Sequence, residues 1–396
     1  MDKEKIMQCN DDYFMNVFSG RYPLVADRGA GMKVYDKNGD EYIDFLAGIG
    51  VNALGYNHPK LVSALKEQVE KALHSSNLYY IEPQAYLEEL LINKSCMGKL
   101  FFCNSGAEAN EGAIKLVRKY FKVREEKKFE ILTAEGSFHG RSLATVAATG
   151  QEKYQKPFRP MPVGFKTVPF NDLAETKEAI TPDTAAIMIE PVQGEGGVYP
   201  ADEAYLKGLR DLCDENNMLL IFDEIQCGIG RTGSLFAYEQ YDVEPDIITL
   251  AKALGGGVPV GAFMAKDEVA EAFTPGDHGS TFGGNHLATQ AGYTTLKTIL
   301  EDDILDNVQQ MSRYMIKRLN ELVDQLEDVE SVRGRGLMLA LQLSDNIDAP
   351  EIVNQMFAEG YLINAVQKHA LRFLPPLIVE KEHIDGLVTA LKKVLK

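Results

Sequence analysis

Residues 218–226 have the sequence MLLIFDEIQ, in which a short apolar run ends in two acids. The run has the length and composition of a buried β-strand, and a helical stretch over 202–215 precedes it. Similar strand candidates stand on both sides, at residues 100–103, 130–133, 185–189, 247–250 and 260–263. This alternation of strands and helices predicts an α/β fold, with a mostly parallel sheet sandwiched by helices.

The N-terminal part has a different pattern. Residues 32–35 and 41–45 flank a segment that contains Asn38 and Gly39, a pair that favours a tight β-hairpin turn. After Pro59, apolar residues recur every four positions and predict a helix with one apolar face. This end of the chain therefore reads as a hairpin followed by a helix.

The C-terminal part is predicted to be a smaller α+β domain. A long helical stretch runs from 287 toward 327, a strand-like run covers 336–343, and a final helix covers 382–396. We therefore expect three parts: an N-terminal segment that packs with the small domain (1–58), a large α/β domain (59–290) and the small C-terminal domain (291–396).

Charge and cysteine content narrow the classes of function. The 396 residues include 41 Lys or Arg and 58 Asp or Glu, which gives a net charge of −17 and no strong basic patch. Such a chain is repelled by nucleic-acid phosphates and by anionic lipid, so we expect neither as a partner. The five cysteines are odd in number and lack CxxC spacing, which disfavours a disulfide framework or a zinc site.

The start of the chain carries no targeting signal that we recognise. Its first residues, MDKEK, are followed by mixed polar residues rather than by the apolar core of a signal peptide. No apolar run approaches the roughly 18–20 residues that a membrane span needs. We expect a cytoplasmic protein in a reducing environment.

A small-residue turn follows the strand at 100–103. Residues 104–110 read NSGAEAN and open a helix, where free backbone N–H groups and the helix dipole favour an anion such as a phosphate. An ordinary capped strand-to-helix turn is the alternative. Parallel sheets bind ligands at this end of their strands.

Two further strand ends carry polar residues. Asp223 could pair with a protonated ring nitrogen, or act as a metal ligand or helix cap. Lys252 stands among Leu250, Ala251, Ala253 and Leu254, where a desolvated lysine would be a competent nucleophile. Taken alone, a surface lysine whose amine reaches solvent is the more common alternative. Together with the anion turn, these residues match the needs of pyridoxal 5'-phosphate (PLP), and we predict no metal.

The motifs resemble the class III, fold-type I, PLP-dependent aminotransferases, and within them the acetylornithine-specific branch of bacteria. The resemblance covers nearly the whole chain, from Gly29 to Pro376, and depends on motifs in family order. They are NSGAEA (104–109), FHGR (138–141), EPVQGEGG (190–197), DEIQ (223–226), AK (251–252), GSTFGGN (279–285) and LRFLPP (371–376).

The resemblance implies a role in cofactor binding for nine residues. They are Ser105, Gly106 and Ala107 for the phosphate, Phe138 and Ile225 for the two ring faces, Asp223 for the ring nitrogen, Gln226 for the 3'-oxygen, Lys252 for the covalent bond and the proton transfers, and Thr281 for the phosphate of the partner subunit. Because Thr281 would serve the other subunit, the resemblance also implies a homodimer with shared active sites.

The resemblance assigns four residues to the substrate. Arg141 would grip a carboxylate, with Ser280 as a second contact, and Arg372 would bind the α-carboxylate of glutamate. Glu195 would pair with Arg372 whenever the substrate offers no carboxylate there. For both arginines a structural ion pair is the alternative, and His139 is expected to be a structural neighbour rather than a base.

The implied activity is transfer of the δ-amino group of N2-acetyl-L-ornithine to 2-oxoglutarate by a ping-pong mechanism. The products are N-acetyl-L-glutamate 5-semialdehyde and L-glutamate, a step of arginine biosynthesis. The alternatives are an ornithine, 4-aminobutyrate or succinyl-diaminopimelate aminotransferase, a PLP aminomutase, or a non-enzymatic interaction module.

One segment departs from the family pattern. The family has a tyrosine two residues before an arginine near the N-terminus, whereas this chain has Phe18 and Ser19 before Gly20 and Arg21. A substrate hydrogen bond from that tyrosine is therefore not carried over.

Overall fold

A computed structural model describes residues 1–18 and 20–396 of the chain. The strands, in chain order, are β1 (Ala26–Ala30), β2 (Lys33–Asp36), β3 (Glu41–Asp44), β4 (Lys99–Cys103), β5 (Glu130–Ala134), β6 (Phe165–Val168), β7 (Thr184–Ile189), β8 (Val192–Gln193), β9 (Tyr199–Pro200), β10 (Leu219–Asp223), β11 (Ile247–Leu250), β12 (Gly261–Ala265), β13 (Val329–Arg335), β14 (Met338–Leu343), β15 (Tyr361–Leu362), β16 (Asn364–Gln367) and β17 (Ala370–Phe373).

The helices connect and cover these strands. They are α1 (Lys3–Tyr13), α2 (Ala47–Gly50), α3 (Pro59–Lys71), α4 (Glu82–Asn93), α5 (Gly106–Val123), α6 (Leu143–Ala148), α7 (Glu152–Gln155), α8 (Leu173–Ala179), α9 (Glu203–Glu215), α10 (Asp267–Ala270), α11 (His286–Glu301), α12 (Ile304–Val323), α13 (Ala349–Ala358) and α14 (Lys381–Val394), with single 3-10 turns at Lys156–Phe158, Ala237–Gln240 and Lys252–Gly255.

A seven-stranded sheet forms the centre of the fold. Its strand order is β4-β12-β11-β10-β7-β5-β6, and β12 alone runs antiparallel to its neighbours. Strands β7, β10, β11 and β12 are buried along their whole length, because the sheet is covered on both faces and their sequences are mostly apolar. The predicted α/β class with a mostly parallel, helix-sandwiched sheet is confirmed.

The chain also forms two four-stranded sheets, one mixed (β1-β2-β3-β15) and one antiparallel. The predicted hairpin is present as β2 and β3, and β15 joins β3 as a parallel neighbour from far along the chain. Strands β13, β14, β17 and β16 form the C-terminal sheet in that order. The short pair β8–β9 lies beside the polar motif that follows β7.

The long helical stretch predicted over 287–327 is two helices rather than one. Helix α11 ends at Glu301 and α12 begins at Ile304, with Asp303 in the left-handed region at φ 53°. Aspartate tolerates this conformation better than most residues, so Asp303 can separate α11 from α12. The helix predicted after Pro59 is present as α3, but Val69 on its apolar face is 55% exposed.

The three-part domain division stays a prediction. Its boundary at 290 falls inside the continuous helix α11. Among the described residues no helix is long and apolar enough to cross a membrane.

Candidate active site

The small-residue turn between β4 and α5 forms one end of a cavity. The Ser105 hydroxyl caps α5 by accepting a hydrogen bond from the Glu108 N–H at 3.2 Å. The N–H groups of Gly106 and Ala107 stand in the first helical turn, where the helix itself offers no acceptor. A Cβ at Gly106 would come within 2.8 Å of Ile225 Cδ1, so only glycine allows this approach. The turn is a ready site for an anion.

Asp223 ends β10 as a buried carboxylate with three hydrogen-bond partners. Its Oδ2 accepts from Asn110 Nδ2 and lies 2.8 Å from His139 Nδ1, and its Oδ1 accepts from the Ile225 N–H. Burial alone would lower the pKa of His139, but the hydrogen bond and the charge of Asp223 raise it above its ordinary value. Nε2 of His139 is buried without a partner among the described residues. The carboxylate is thus held rigidly at the cavity wall.

Lys252 follows β11 in a strained backbone conformation. Its φ is +48°, in the left-handed region that few non-glycine residues adopt. Burial lowers the pKa of its amine, with the charge of Arg372 acting in the same direction and the carboxylates of Glu195, Asp223 and Glu190 opposing. A desolvated amine of this kind loses its proton more readily than a surface lysine and can act as a nucleophile or a base.

These groups line one cavity of about 410 Å³. Its wall brings together residues from six separated parts of the chain, including Val51, Ser105, Gly106, Ala107, Phe138, His139, Arg141, Glu190, Glu195, Asp223, Ile225, Gln226 and Lys252. Ten of the predicted cofactor and substrate residues therefore meet in one place, with the carboxyl ends of β10 and β11 at its base. Within 1–18 and 20–396, no group of three or more His, Cys, Asp or Glu side chains could hold a metal ion.

Glu195 and Arg372 form a buried ion pair beside the cavity. Arg372 Nη1 lies 2.6 Å from Glu195 Oε1, and Arg372 Nε donates to Asn364 Oδ1 at 3.2 Å. Gln226 bonds both partners, accepting from Arg372 and donating to Glu195. Burial would raise the pKa of Glu195, but the charge and hydrogen bond of Arg372 hold it below its ordinary value. Glu195 is therefore ionised and neutralises Arg372.

Arg141 differs from Arg372 because aromatic rings, rather than an acid, surround it. Its guanidinium carbon lies 4.1 Å from the centroid of the Tyr154 ring and 5.3 Å from that of Phe138. It forms no salt bridge with a described residue. A free guanidinium on a cavity wall is suited to bind a carboxylate.

Ser280 and Thr281 lie outside the wall of this cavity. The Ser280 hydroxyl accepts hydrogen bonds from Asn104 Nδ2 and from the Gly283 N–H, so in one chain it holds the 280–283 turn. Thr281 is exposed on the same turn. Arg372 does not line the cavity either. It forms hydrogen bonds with two residues that do, Glu195 and Gln226.

The segment that departs from the family pattern is only partly described. Ser19 lies outside the described residues, and Phe18 stacks with Phe14. Arg21 lies over both rings and donates to Asn10 Oδ1, so it contacts helix α1.

Three residues of the site were not predicted from the sequence. Asn110 bonds Asp223, Tyr154 contacts Arg141, and Glu190 accepts hydrogen bonds from the N–H groups of Phe138 and Gly194. Burial, with the charge of Asp223, raises the pKa of Glu190 to about 7 against the opposing effect of His139. The position of Glu190, directly after β7, was the one signal that could have identified it.

Comparison with known proteins assigns the family. The family described as aminotransferase class-III matches residues 14–395. The chain belongs to the class III aminotransferases. It is 53% identical over 395 residues to the acetylornithine aminotransferase of Methanocaldococcus jannaschii, covering 100% of this chain and 98% of that protein. It is 49% identical to the acetylornithine aminotransferase of Caldanaerobacter subterraneus, covering 97% of each chain.

Solved structures agree with this class III assignment. The N-acetylornithine aminotransferase from Stenotrophomonas maltophilia is 38% identical with a TM-score of 0.84, covering 98% of both chains. The ornithine aminotransferase from Toxoplasma gondii is 31% identical with a TM-score of 0.95, covering 100% of this chain and 95% of that one. The fold is thus fold-type I, and the chain is an aminotransferase.

Class III aminotransferases depend on PLP, and the residues present fit this cofactor. The turn at Gly106 offers free N–H groups for a phosphate, and the close approach of Ile225 needs the missing Cβ. Asp223 is a buried carboxylate on the cavity wall, as a protonated ring nitrogen requires, and Lys252 supplies a desolvated amine. The donor set of the cavity therefore matches the phosphate, the ring nitrogen and the aldehyde of PLP.

Proposed function

We propose that this class III aminotransferase moves the δ-amino group of N2-acetyl-L-ornithine to 2-oxoglutarate. The observation that carries the proposal is the contrast between the two arginines. Arg141 has a free guanidinium on the cavity wall, whereas Arg372 is neutralised by Glu195. A donor with one carboxylate and a distant amine suits this arrangement. Relatives named acetylornithine aminotransferase, at 53% and 49% identity, support the acetylated substrate.

When bound, PLP accepts the electron pair that remains at a substrate carbon after its proton leaves. Lys252 Nζ removes that proton from Cδ of acetylornithine, and from Cα of glutamate in the other half-reaction. Asp223, fixed by Asn110 and His139, holds the proton on the ring nitrogen. Cofactor contacts of the backbone at Ser105–Ala107 and of the side chains of Phe138, Ile225 and Gln226 are part of the same proposal.

The Glu195–Arg372 ion pair stays closed in one proposed half-reaction and opens in the other. With acetylornithine bound, Arg141 holds the substrate carboxylate and Glu195 stays on Arg372. With glutamate bound, Glu195 leaves, and Arg372 takes the α-carboxylate while Arg141 takes the other one. One cavity then serves a δ-amine and an α-amine in turn, as a ping-pong mechanism requires.

A panel of amine donors tests this proposal. With 2-oxoglutarate as acceptor, we expect kcat/KM for N2-acetylornithine to exceed that for ornithine, 4-aminobutyrate and N-succinyl-diaminopimelate. A higher value for any of the three would overturn the substrate assignment. Turnover of a donor without 2-oxoglutarate would instead support an aminomutase.

We further propose a homodimer with shared sites. An apolar patch, formed by Leu78, Tyr79, Tyr80 and Phe282, is exposed on the chain, with Leu78 at 87% and Phe282 at 61%. Its two segments are joined because Asn77 donates hydrogen bonds to the carbonyl groups of Ser280 and Gly283. An apolar surface of this kind suits a second copy, and exposed Thr281 lies within it. Thr281 would then reach the partner's phosphate, and Ser280 the partner's substrate.

A cytoplasmic location is part of this proposal as well. The five cysteines are free, which suits a reducing compartment. Fractionation of cells that express the chain, with immunodetection of the soluble cytosolic fraction, would test it.

A further inference from the structure

Arg141 owes its position to rings rather than to an acid. An exposed arginine without a carboxylate partner samples many rotamers, and ordering it costs side-chain entropy. In this structure the guanidinium instead lies over aromatic neighbours, with its carbon 4.1 Å from the Tyr154 centroid and 5.3 Å from that of Phe138. Planar guanidinium groups favour such stacking, which leaves their edge donors free for a carboxylate.

Tyr154 contacts both Arg141 and Phe138. The Phe138 and Tyr154 ring centroids lie 5.7 Å apart at an angle of 80°, an edge-to-face arrangement. A second cation, Lys153 Nζ, lies 4.9 Å from the Tyr154 centroid. Tyr154 therefore connects the cavity wall at Phe138 with the guanidinium that faces the substrate.

The short helix that carries Tyr154 is fastened at both ends. Gln151 Nε2, just before the helix, donates to the carbonyl groups of Gly136 and Ser137 at 3.1 Å each. Gln155 Nε2, at its end, donates to the Thr149 carbonyl at 2.8 Å. The Gln151 bonds tie α7 to the loop that bears Phe138 and Arg141, and the Gln155 bond ties it to the end of α6. The Tyr154 ring is therefore positioned without a hydrogen bond from its own hydroxyl to any described residue.

We propose that Tyr154 is a positioning residue that holds the Arg141 guanidinium in the orientation needed to bind the substrate carboxylate. The inference rests on the proposed function, because it concerns the carboxylate of the acetylated donor. It assigns the effect to the ring rather than to the hydroxyl. Removing the ring should therefore weaken binding of carboxylate-bearing substrates and leave the proton transfers at Lys252 unchanged.

Steady-state kinetics with two matched donors test the inference. N-acetylputrescine differs from N2-acetylornithine only by the missing carboxylate. Its kinetics therefore depend on every substrate contact except the one between Arg141 and the carboxylate. For Tyr154→Leu we expect KM for acetylornithine to rise about 3- to 10-fold, as a cation–π contact allows, with kcat within about 2-fold. The kcat/KM for N-acetylputrescine should stay at the wild-type value.

Three further variants serve as controls. Tyr154→Phe keeps the ring and should behave as wild type. Lys153→Ala removes the second cation beside Tyr154 and should leave KM for acetylornithine unchanged. If Tyr154→Leu does not fold, Tyr154→Met replaces it. Arg141→Lys keeps the charge without the planar group, and its effect on KM should largely disappear in the Tyr154→Leu background, because the two residues act as a unit.

Equilibrium binding gives a readout independent of turnover. N2-acetylnorvaline has the carboxylate and acetyl group but no δ-amine, so calorimetry measures its affinity directly. We expect its Kd to rise in Tyr154→Leu and to stay unchanged in Tyr154→Phe.

The outcomes separate the two proposals. Equal losses for acetylornithine and N-acetylputrescine would show that Tyr154 acts through Phe138 on the cofactor, and would overturn the inference. An unchanged KM and Kd in Tyr154→Leu would overturn it too. If the wild-type enzyme fails to use acetylornithine but uses another carboxylated donor, the proposed function falls, while that donor and its decarboxylated analogue still test Tyr154.

Discussion

Arg372 Nη1 and Glu195 Oε1 lie 2.6 Å apart, and the arginine is completely buried. A buried cation needs a partner, and here one carboxylate of the protein supplies it. Glu195 is part-exposed and lines the cavity, whereas Arg372 does not line it, so Glu195 is the partner that a bound molecule would meet first. In the proposed mechanism, Glu195 is the counter-ion that a substrate carboxylate would replace on Arg372.

Replacing Glu195 should change the balance between the two half-reactions. In Glu195→Gln the Arg372 cation lacks its counter-ion, so glutamate no longer competes with a protein carboxylate. We expect KM for glutamate to fall by about 10- to 100-fold, the value of a charge-assisted hydrogen bond. The ratio of kcat/KM for acetylornithine to kcat/KM for glutamate should therefore fall. Rapid-mixing spectroscopy of each half-reaction would measure it. Glu203→Gln, at an exposed position of α9, is the control, and an unchanged ratio in Glu195→Gln would contradict the role of Glu195.

Loss of the Lys252 amine should abolish both covalent attachment and proton transfer. For Lys252→Ala we expect turnover to fall by at least about 10²–10⁴-fold, the usual contribution of a general acid–base. Borohydride treatment followed by peptide mass spectrometry should label Lys252 in the wild type and no residue in the variant. Lys297→Ala, which removes an exposed lysine, should keep both activity and label. Recovery of the label at another lysine of the variant would speak against the assignment.

Shared sites predict a particular result for mixed dimers. In a hybrid of Lys252→Ala and Thr281→Ala chains, the site that retains Lys252 receives Thr281 from the other chain and is complete. PLP affinity at that site, from fluorescence titration of purified hybrids, should equal the wild-type value. If Thr281 served its own chain, no site in the hybrid would be complete and the affinity would match that of Thr281→Ala.

The exposed apolar patch predicts a dimer in solution. Leu78→Glu places a charge in the patch and should yield monomers with strongly reduced turnover, measured by light scattering and by assay. Val163→Glu, at a position 79% exposed elsewhere on the chain, should remain dimeric and active. A monomeric wild-type protein with full activity would remove the basis for the shared site.

The buried carboxyl of Glu190 predicts a pH effect on stability. Its pKa rises from an ordinary 4.5 to about 7, mainly through burial, so the folded chain keeps a proton that the unfolded chain loses. Stability from this group is therefore present below pH 4.5 and is lost as the pH rises toward 7. The Glu190→Gln variant has no carboxyl group that can lose a proton. The difference between its Tm and that of the wild type should therefore increase as the pH rises from 4.5 to about 7. Glu178→Gln, on an exposed helix face, should follow the wild type.

Much of the site followed from the sequence because three polar motifs stood directly after strands. Parallel strands place their carboxyl ends at one edge, so Asp223, Lys252 and the Gly106 turn had to converge. The direction of β12 was not predicted, although only ten residues separate Leu250 from Gly261. That connection is too short for a parallel crossover.

Contacts between distant segments could not be derived from local patterns. His139 bonds Asp223, which is 84 positions away, and Arg141 needs the ring of Tyr154 from a separate helix. Neither contact produces a hydrophobic periodicity or a turn motif in the sequence. The break at Asp303 was also missed, because helical periodicity continues on both sides of it.

The parallel pairing of β15 with β3 has a consequence for synthesis of the chain. Residues Glu41–Asp44 meet their partner strand only after Tyr361–Leu362 has been made. At about 5–20 residues per second, the ribosome leaves that strand edge open for roughly 15 to 60 seconds. During this interval the nascent N-terminal hairpin presents unpaired backbone groups, and binding by a chaperone would protect it from premature association with neighbouring chains.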